Sequence, residues 1–525
     1  MFLRTTSSAL AVMAFTSPVF ADVTPAEVWQ NWVDYYKANG YTVTEGAREE
    51  AGETLTLKDV VVAFTDATGE VKLDVSMPEI ALTSTGSGGV RTTMAETNPL
   101  TMVGKSEDGE EFTLNGVVTM KDAEIVTTGA PADMTHDSKA AEMAFVLNTI
   151  ITAEGEKSVP VTIKLLNATS KQHVVDGASM AVDATLAADR AEVTATYEDA
   201  ESADMPGKIS INGGMDALKI AGNFVLPKGV DLAKDMNAGL KAGMNGTGNI
   251  SAGAGEFVFD YAGKDEAGED QSASGTSKMQ GFQVAFGLSA DGMNYQGSSD
   301  ATSVELTISD LPFPVSYGIE NATFDLQIPV MKADAPAPFK FAYSIGGLTL
   351  ADGIWDLFDP GKQLPRDPAS IDLDVTGLAK VAMDLFDPAN IQAMEEAAAA
   401  EQTDATTADA ADTLVDEPFV PTEITINKLA LDAVGAKIDA SGNLTVPEGG
   451  SIDAPIGKLS ARLEGVNGLI DKLQQMGFIP EDQVAGVRMM LAMFAKPAPE
   501  GGDALVSDFE FKENGQIFAN GQQVK

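Results

Sequence analysis

The chain switches hydrophobic period soon after it begins. Between Thr24 and Gly40, apolar residues recur at Val28, Trp32, Tyr35 and Tyr36, the spacing of one helical face, with Trp29 beside the stripe. Thr24-Pro25-Ala26-Glu27 has the form of a capping box with proline at the first helical position, and Asn39-Gly40 is a stop signal. From Tyr41 the period becomes two. Apolar and polar positions alternate in 54–57, 71–75 and 112–114, punctuated by turn signals at Gly69, Gly86-Ser87-Gly88-Gly89 and Asp108-Gly109. The same texture returns at 159–166, 191–197, 256–261, 282–288, 303–308 and 323–328. Loops rather than helices separate these runs, so they predict an antiparallel meander and not βαβ units.

The expected fold is therefore mainly β (α+β): long, curved antiparallel sheet with an N-terminal helix and a helical pair near the C-terminus. Within the β region, Leu232, Met236 and Leu240 give a short helical pattern over 231–244. Trp355-Asp356-Leu357-Phe358-Asp359-Pro360 is echoed by Met383-Asp384-Leu385-Phe386-Asp387-Pro388. The paired Asp-Pro elements read as strand-to-turn corners rather than as an acid/base or metal pair, because aspartate before proline favours such corners.

Four segments follow from the composition along the chain. Residues 1–21 read as a cleaved export signal: Arg4, then an apolar run from Ala9 to Phe15, then Val19-Phe20-Ala21 with small residues where a signal peptidase acts. Residues 22–394 form the β-rich main region. Residues 395–418 read as an acidic, alanine-rich linker, with a helical start over 391–402. Residues 419–525 read as a C-terminal unit. There, 423–431, 436–440 and 444–446 are predicted strands, with Ser441-Gly442-Asn443 as a turn. Two helices follow, one with Leu469, Ile470 and Leu473 on a face and one after Pro480 with Val484, Val487, Leu491 and Phe494 inward. A last hairpin turns at Glu513-Asn514-Gly515.

Charge narrows the function classes. With 34 basic against 78 acidic residues, the formal net charge is −44, and removal of Arg4 makes it one unit more negative. Such a field repels phosphate backbones, which excludes nucleic acid as a partner. The absence of cysteine excludes disulfides, a thiol nucleophile and thiolate metal sites. Export without disulfides suggests the periplasm, or the cell exterior. No later segment is long and uncharged enough to predict a transmembrane helix in the mature chain.

Chemistry-bearing motifs are sparse. His136 and His173 lie far apart in polar stretches and read as surface residues rather than as a zinc pair. No Gly-x-Ser-x-Gly elbow or phosphate-cradling glycine loop is present. Asp265-Glu266-Ala267-Gly268-Glu269-Asp270 concentrates carboxylates that would suit calcium, yet it lacks the spacing of an EF-hand. No catalytic residue, metal ligand or cofactor is expected. Trp29, Trp32 and Trp355 are the only large aromatic handles for a ligand, and core packing competes with that role for each.

Val28-Trp29-Gln30-Asn31-Trp32 followed by Gly40-Tyr41-Thr42-Val43 resembles the opening of the domain-of-unknown-function 2125 family of exported Gram-negative proteins. So do 429–435, Asp439-Ala440-Ser441-Gly442-Asn443-Leu444, 465–477 and the ending Gly515-Gln516-Ile517 with Asn520-Gly521. The resemblance implies a secreted β-rich protein and carries over no catalytic residue. The architecture is also similar to envelope proteins whose long sheets curl into lipid-holding grooves, an analogy at the level of fold. The leading expectation is a non-enzymatic envelope protein that presents an apolar sheet face to lipid or another hydrophobic ligand, helped by 22 methionines. A protein-interaction or assembly module offering sheet edges to envelope proteins is the alternative. A carboxylate-based hydrolase is a lesser one, disfavoured by the 6% aromatic content.

Overall fold

A computed structural model describes residues 23–66, 69–106, 109–199, 207–232, 234–265, 268–394, 418–447, 452 and 454–525. Residues 1–21, expected to be an export signal, and residues 395–417 of the expected linker lie outside the described residues.

The chain builds a mainly β molecule, laid down as an antiparallel meander. Its centre is four long strands in chain order, Asp133–Thr152, Gly155–Asp176, Ser179–Asp199 and Gly207–Pro227. At about 3.3 Å per residue each spans roughly 65–70 Å. Later strands are shorter because they are interrupted at a common level. Asn245–Ala252 pairs with one half of Gly207–Pro227, and Gly255–Lys264 pairs with the other half. The split repeats in Asp270–Met279 with Phe282–Ser289, in Gly292–Ser299 with Thr302–Ile308, and in Val315–Ile319 with Asn321–Ile328. Each pair is one long strand broken at a seam. Backbone hydrogen bonds carry the sheet across it, as where Gly253 N donates to Asp216 O at 2.8 Å and Gln280 N to Ala301 O at 2.9 Å.

In the unbroken strands the seam is marked by Asp59, Asn167 and Ala217, with φ of 51°, 50° and 54°. A single left-handed residue restarts the period-two alternation in the opposite phase. Accordingly the apolar positions are odd before Ala217 (Ile209, Ile211) and even after it (Leu218, Ile220, Phe224, Leu226). The kink thus keeps the apolar side chains of both halves on one face.

Helix α1 (Pro25–Ala38) covers the start of that face. Thr24 Oγ1 accepts from Glu27 N at 3.3 Å while Thr24 N donates to Glu27 Oε2 at 2.9 Å, the capping box expected. Val28, Trp29 and Val33 pack on Leu55, Leu57, Val60, Ile80, Leu82, Val90 and Met134, all buried. Each such side chain contributes about 1.5–3 kcal/mol by leaving water. Helix α2 (Met236–Lys241) occupies part of the weak 231–244 pattern, and α3 (Asp352–Phe358) follows the strand Ala333–Leu350.

Three local expectations are corrected. Ser441-Gly442-Asn443 is not a turn: Ala436–Thr445 is one strand, and Gly442 is there because a Cβ would lie 2.2 Å from Lys458 O. The Asp-Pro echoes are not strand corners: Asp359 ends α3, and Asp387-Pro388 opens a helix over 388–394. In the helix Glu481–Phe494, Val484, Val487 and Leu491 are only half-buried, while Phe494 and the methionines 489, 490 and 493 are exposed, because this helix packs against the short helix Val466–Gln475, which covers little of it. The last hairpin is as expected, with Asn514 and Gly515 left-handed at its tip. Across the linker, Ala369–Val381 pairs with Phe419–Ala433, so the same sheet runs on into the C-terminal strands. Among the described residues no helix is long and apolar enough to cross a membrane.

Candidate functional site

Cross-strand partners in an antiparallel sheet share a face, so the register traces that face residue by residue. Gln172, Ala184, Gly222, Gly248, Phe286, Tyr295, Leu326 and Phe341 are successive partners on eight neighbouring strands. The reverse face one residue along reads His173, Asp183, Asn223 and Thr247. One side of the sheet is apolar and the other polar. Helices α1 and α2 cover the apolar side only in part: Phe286, Tyr295 and Phe341 are 37%, 43% and 48% exposed.

Glycine and phenylalanine flatten this surface together. Gly248 partners Phe286, Gly275 partners Phe259 and Gly297 partners Phe324. A Cβ on Gly297 would lie 2.2 Å from the Phe324 ring, and one on Gly275 2.3 Å from that of Phe259. The rings therefore lie down over their glycine partners, which gives a low aromatic floor.

Two cavities sit on the same face. The first, about 430 Å³, lies under α1 and is lined by Trp29, Trp32, Val62, Met77, Val118 and His136 among others. The second, about 420 Å³, lies under α2, where Phe224, Leu226, Met236, Leu288, Met293 and Phe386 surround it. The second Asp-Pro turn holds this second lid. Asp384 accepts from Lys241 Nζ at 2.7 Å, Asn237 Nδ2 at 3.2 Å and Lys332 N at 2.8 Å, which places Phe386 at the cavity. Burial opposes the charge of Asp384, yet Lys241 and these donors outweigh it and lower its pKa. Asp359 plays the matching part after α3: fully buried, it accepts from Gln363 N at 2.8 Å and Leu364 N at 2.9 Å.

His136 is not on the surface as its neighbours suggested; it is buried at the back of the first cavity. Its Nε2 lies 3.2 Å from Asn31 Oδ1, an acceptor, so Nε2 carries the proton and Nδ1 receives Thr127 Oγ1 (2.8 Å) and Trp32 Nε1 (3.4 Å). Burial pushes its pKa down to about 4, against a smaller opposing pull from Asp137, so the ring is neutral. Burial likewise raises the phenol pKa of Tyr35 and Tyr36 beside it. His173 lies on the polar face, 2.7 Å from Asp133 Oδ1.

The three tryptophans part company. Trp29 is buried, donates to Glu45 at 2.5 Å and forms one wall of the first cavity; Trp32 lines the same cavity half-buried. Trp355 lies elsewhere, buried against Phe358 (5.0 Å) under the Arg366 guanidinium (5.5 Å). The signal that finds the open face was present as alternation, but the row Phe286–Tyr295–Phe341 emerges only once the register is known. In the acidic loop, Asp265 Oδ1 accepts from Glu269 N and Asp270 pairs with Lys264; residues 266 and 267 lie outside the described residues. Among the described residues no group of three or more His, Asp or Glu is placed to hold a metal ion.

The family model for an uncharacterised protein conserved in bacteria, domain of unknown function 2125, matches residues 252–521. The chain belongs to the domain-of-unknown-function 2125 family. The matched span of this family member holds the second cavity's far wall and all the C-terminal segments that carried the resemblance, whereas the Trp29–Trp32 opening lies before it. No curated protein and no solved structure matches the chain.

Proposed function

We propose that this member of the family is a non-enzymatic, periplasmic protein that holds lipid acyl chains against the uncovered apolar face of its sheet. The carrying observation is the row from Gln172 to Phe341, seven strand spacings or roughly 34 Å long, which starts in the first cavity, runs along the second and ends on Phe341, with its aromatic members more than a third exposed. Exposed apolar surface of that extent marks a binding surface. Flat rings backed by glycine suit a flexible chain, which needs area and no hydrogen-bond partners. The sheet-edge alternative is less favoured, since the peripheral strand Ala47–Ala51 is exposed throughout and carries Arg48, Glu49 and Glu50, charges that discourage strand addition. Residues 1–21 support the location by their sequence alone.

Native mass spectrometry of the full chain, purified without harsh detergent from a Gram-negative host, tests the reading. Lipid-sized adducts are expected on the wild type and should fall at least several-fold in the double variant Phe286→Asp, Phe341→Asp. A wild type that carries no adduct, and takes none up from phosphatidylethanolamine vesicles, would sink the proposal.

A further inference from the structure

We infer that the sheet holds its ligand in one direction: the polar end of a long-chain amphiphile lies under α1, and its hydrocarbon end lies under α2. This deepens the lipid-face reading and rests on it.

The register places the polar groups. On the apolar face His136 partners Gln172, and Ser138 partners Ser170, all four in the lining of the first cavity. Ser138, Ser170 and Gln172 are half-buried there, and Tyr35 and Tyr36 line the same cavity from α1. One strand further along, the hydrogen-bonding side chains stop. Ser170 faces Leu186, and that row runs on through Ile220, Ile250 and Val284. Gln172 faces Ala184, in the row already traced to Tyr295. Val174 faces Val182, and its row continues through Phe224, Gly246, Leu288 and Met293. From Ser179–Asp199 to Gly292–Ser299 these three rows carry a single polar side-chain atom, the Tyr295 hydroxyl oxygen. Asn245 and Asn294 touch the second cavity, but alternation puts both on the reverse face, because their neighbours Gly246 and Tyr295 are on the apolar one.

The two cavities are one strand apart. The first ends on Gly155–Asp176, and the second begins on Gly207–Pro227. Val174, Met180 and Val182 form a buried cluster between them, and Tyr35 of the first cavity and Leu226 of the second both pack against it. Beside that cluster Ala184, Gly222 and Gly248 keep the floor low. Gln172 and Phe286 are four strand spacings apart, roughly 19 Å, so one extended chain reaches both cavities. A polar end moved into the second cavity would give up its hydration with no hydrogen bond in return, whereas the first offers hydroxyl and amide partners. The hydrocarbon end needs no partner, and an apolar cavity suits it. The face therefore distinguishes the two ends of a ligand, not one head group from another.

Bromine quenches an indole on contact, so its position along a probe reports direction. The full chain is titrated with 2-bromohexadecan-1-ol and with 16-bromohexadecan-1-ol, both uncharged. Trp29 and Trp32 report on the first cavity, while Trp355 sits in another cluster. The 2-bromo probe should quench the wild type several-fold more than the 16-bromo probe. Tyr295→Trp, or Leu326→Trp if circular dichroism shows the first to be unfolded, adds a reporter at the second cavity. There the 16-bromo probe should quench the added indole, and the 2-bromo probe should not. In the double variant Ser170→Val, Gln172→Leu the preference of the native tryptophans should shrink toward equality. Equal quenching of the wild type by both probes, stronger quenching by the 16-bromo probe, no quenching by either, or an unchanged preference in the folded double variant would overturn the inference. Lipid adducts that persist in native mass spectrometry alongside any of these results would leave the lipid face standing. Directional quenching without any lipid adduct would sink the lipid reading instead.

Discussion

At His136, burial sets a pH window. The folded ring takes a proton only near pH 4, whereas a free histidine does so near 6.5. On acidification the unfolded chain therefore protonates first. The stability this neutral ring secures is complete above pH 6.5 and is lost as the pH falls toward 4, a swing of about 3 kcal/mol. Asp359, Asp384 and Asp503 have lowered pKa values, so their own losses come below the ordinary carboxylate range. From 6.5 down to about 5 the loss is thus the histidine's, before Glu124 and Glu500, also held low by hydrogen bonds, begin to contribute. Melting temperatures at pH 7 and pH 4.5 should drop more in the wild type than in His136→Gln; equal drops would refute the assignment. Asp359→Ala should cost about 2–3 kcal/mol in urea unfolding, since it strands two backbone amides. Neither residue was legible as buried. Thr135-His136-Asp137-Ser138 looks like surface because the alternating polar neighbours dominate. Yet Met134 and Ala140, on the same parity as His136, already mark the inner face.

Elements were easier to read than residues, because period two survives where side-chain partners do not. The helix α1, its capping box, the strand runs and the Asn-Gly hairpin all follow from local chemistry. What local chemistry concealed is the use of glycine inside strands. Gly442 looked like a turn because glycine usually breaks strands, whereas here it admits a neighbouring carbonyl. The Gly–Phe pairs obey the same logic. Gly297→Val should lift the Phe324 ring and destabilise by about 1–3 kcal/mol. Adding Phe324→Ala should recover part of that loss, and strict additivity in the double-mutant cycle would argue against the contact. At the seam the expectation reverses: Ala217→Gly, at φ 54°, should stabilise by up to about 1 kcal/mol, because the left-handed strain outweighs glycine's entropy.

For the whole molecule the sequence conveyed charge and class but not register. Net charge −44 is carried largely on exposed carboxylates, many in solvent-facing ion pairs worth little individually. Self-repulsion should therefore be screened by salt, and the melting temperature should rise between about 10 mM and about 500 mM sodium chloride. A fall would mean that the ion pairs outweigh the repulsion. The open apolar face could not be read directly, because it depends on which of some thirty strand pairings align which parity, and on the phase change at Asn167 and Ala217.

That seam has a consequence for how such a molecule can vary. Each long strand touches only the one before and the one after, and crosses the seam at the same height. Two more strands spliced between Phe419–Ala433 and Ala436–Thr445, beyond both lids, would therefore add about 10 Å of floor while leaving both lids untouched. Width is held by the seam, and length is left to the count of strands. A lineage can lengthen the apolar floor by duplication, without redesigning the fold.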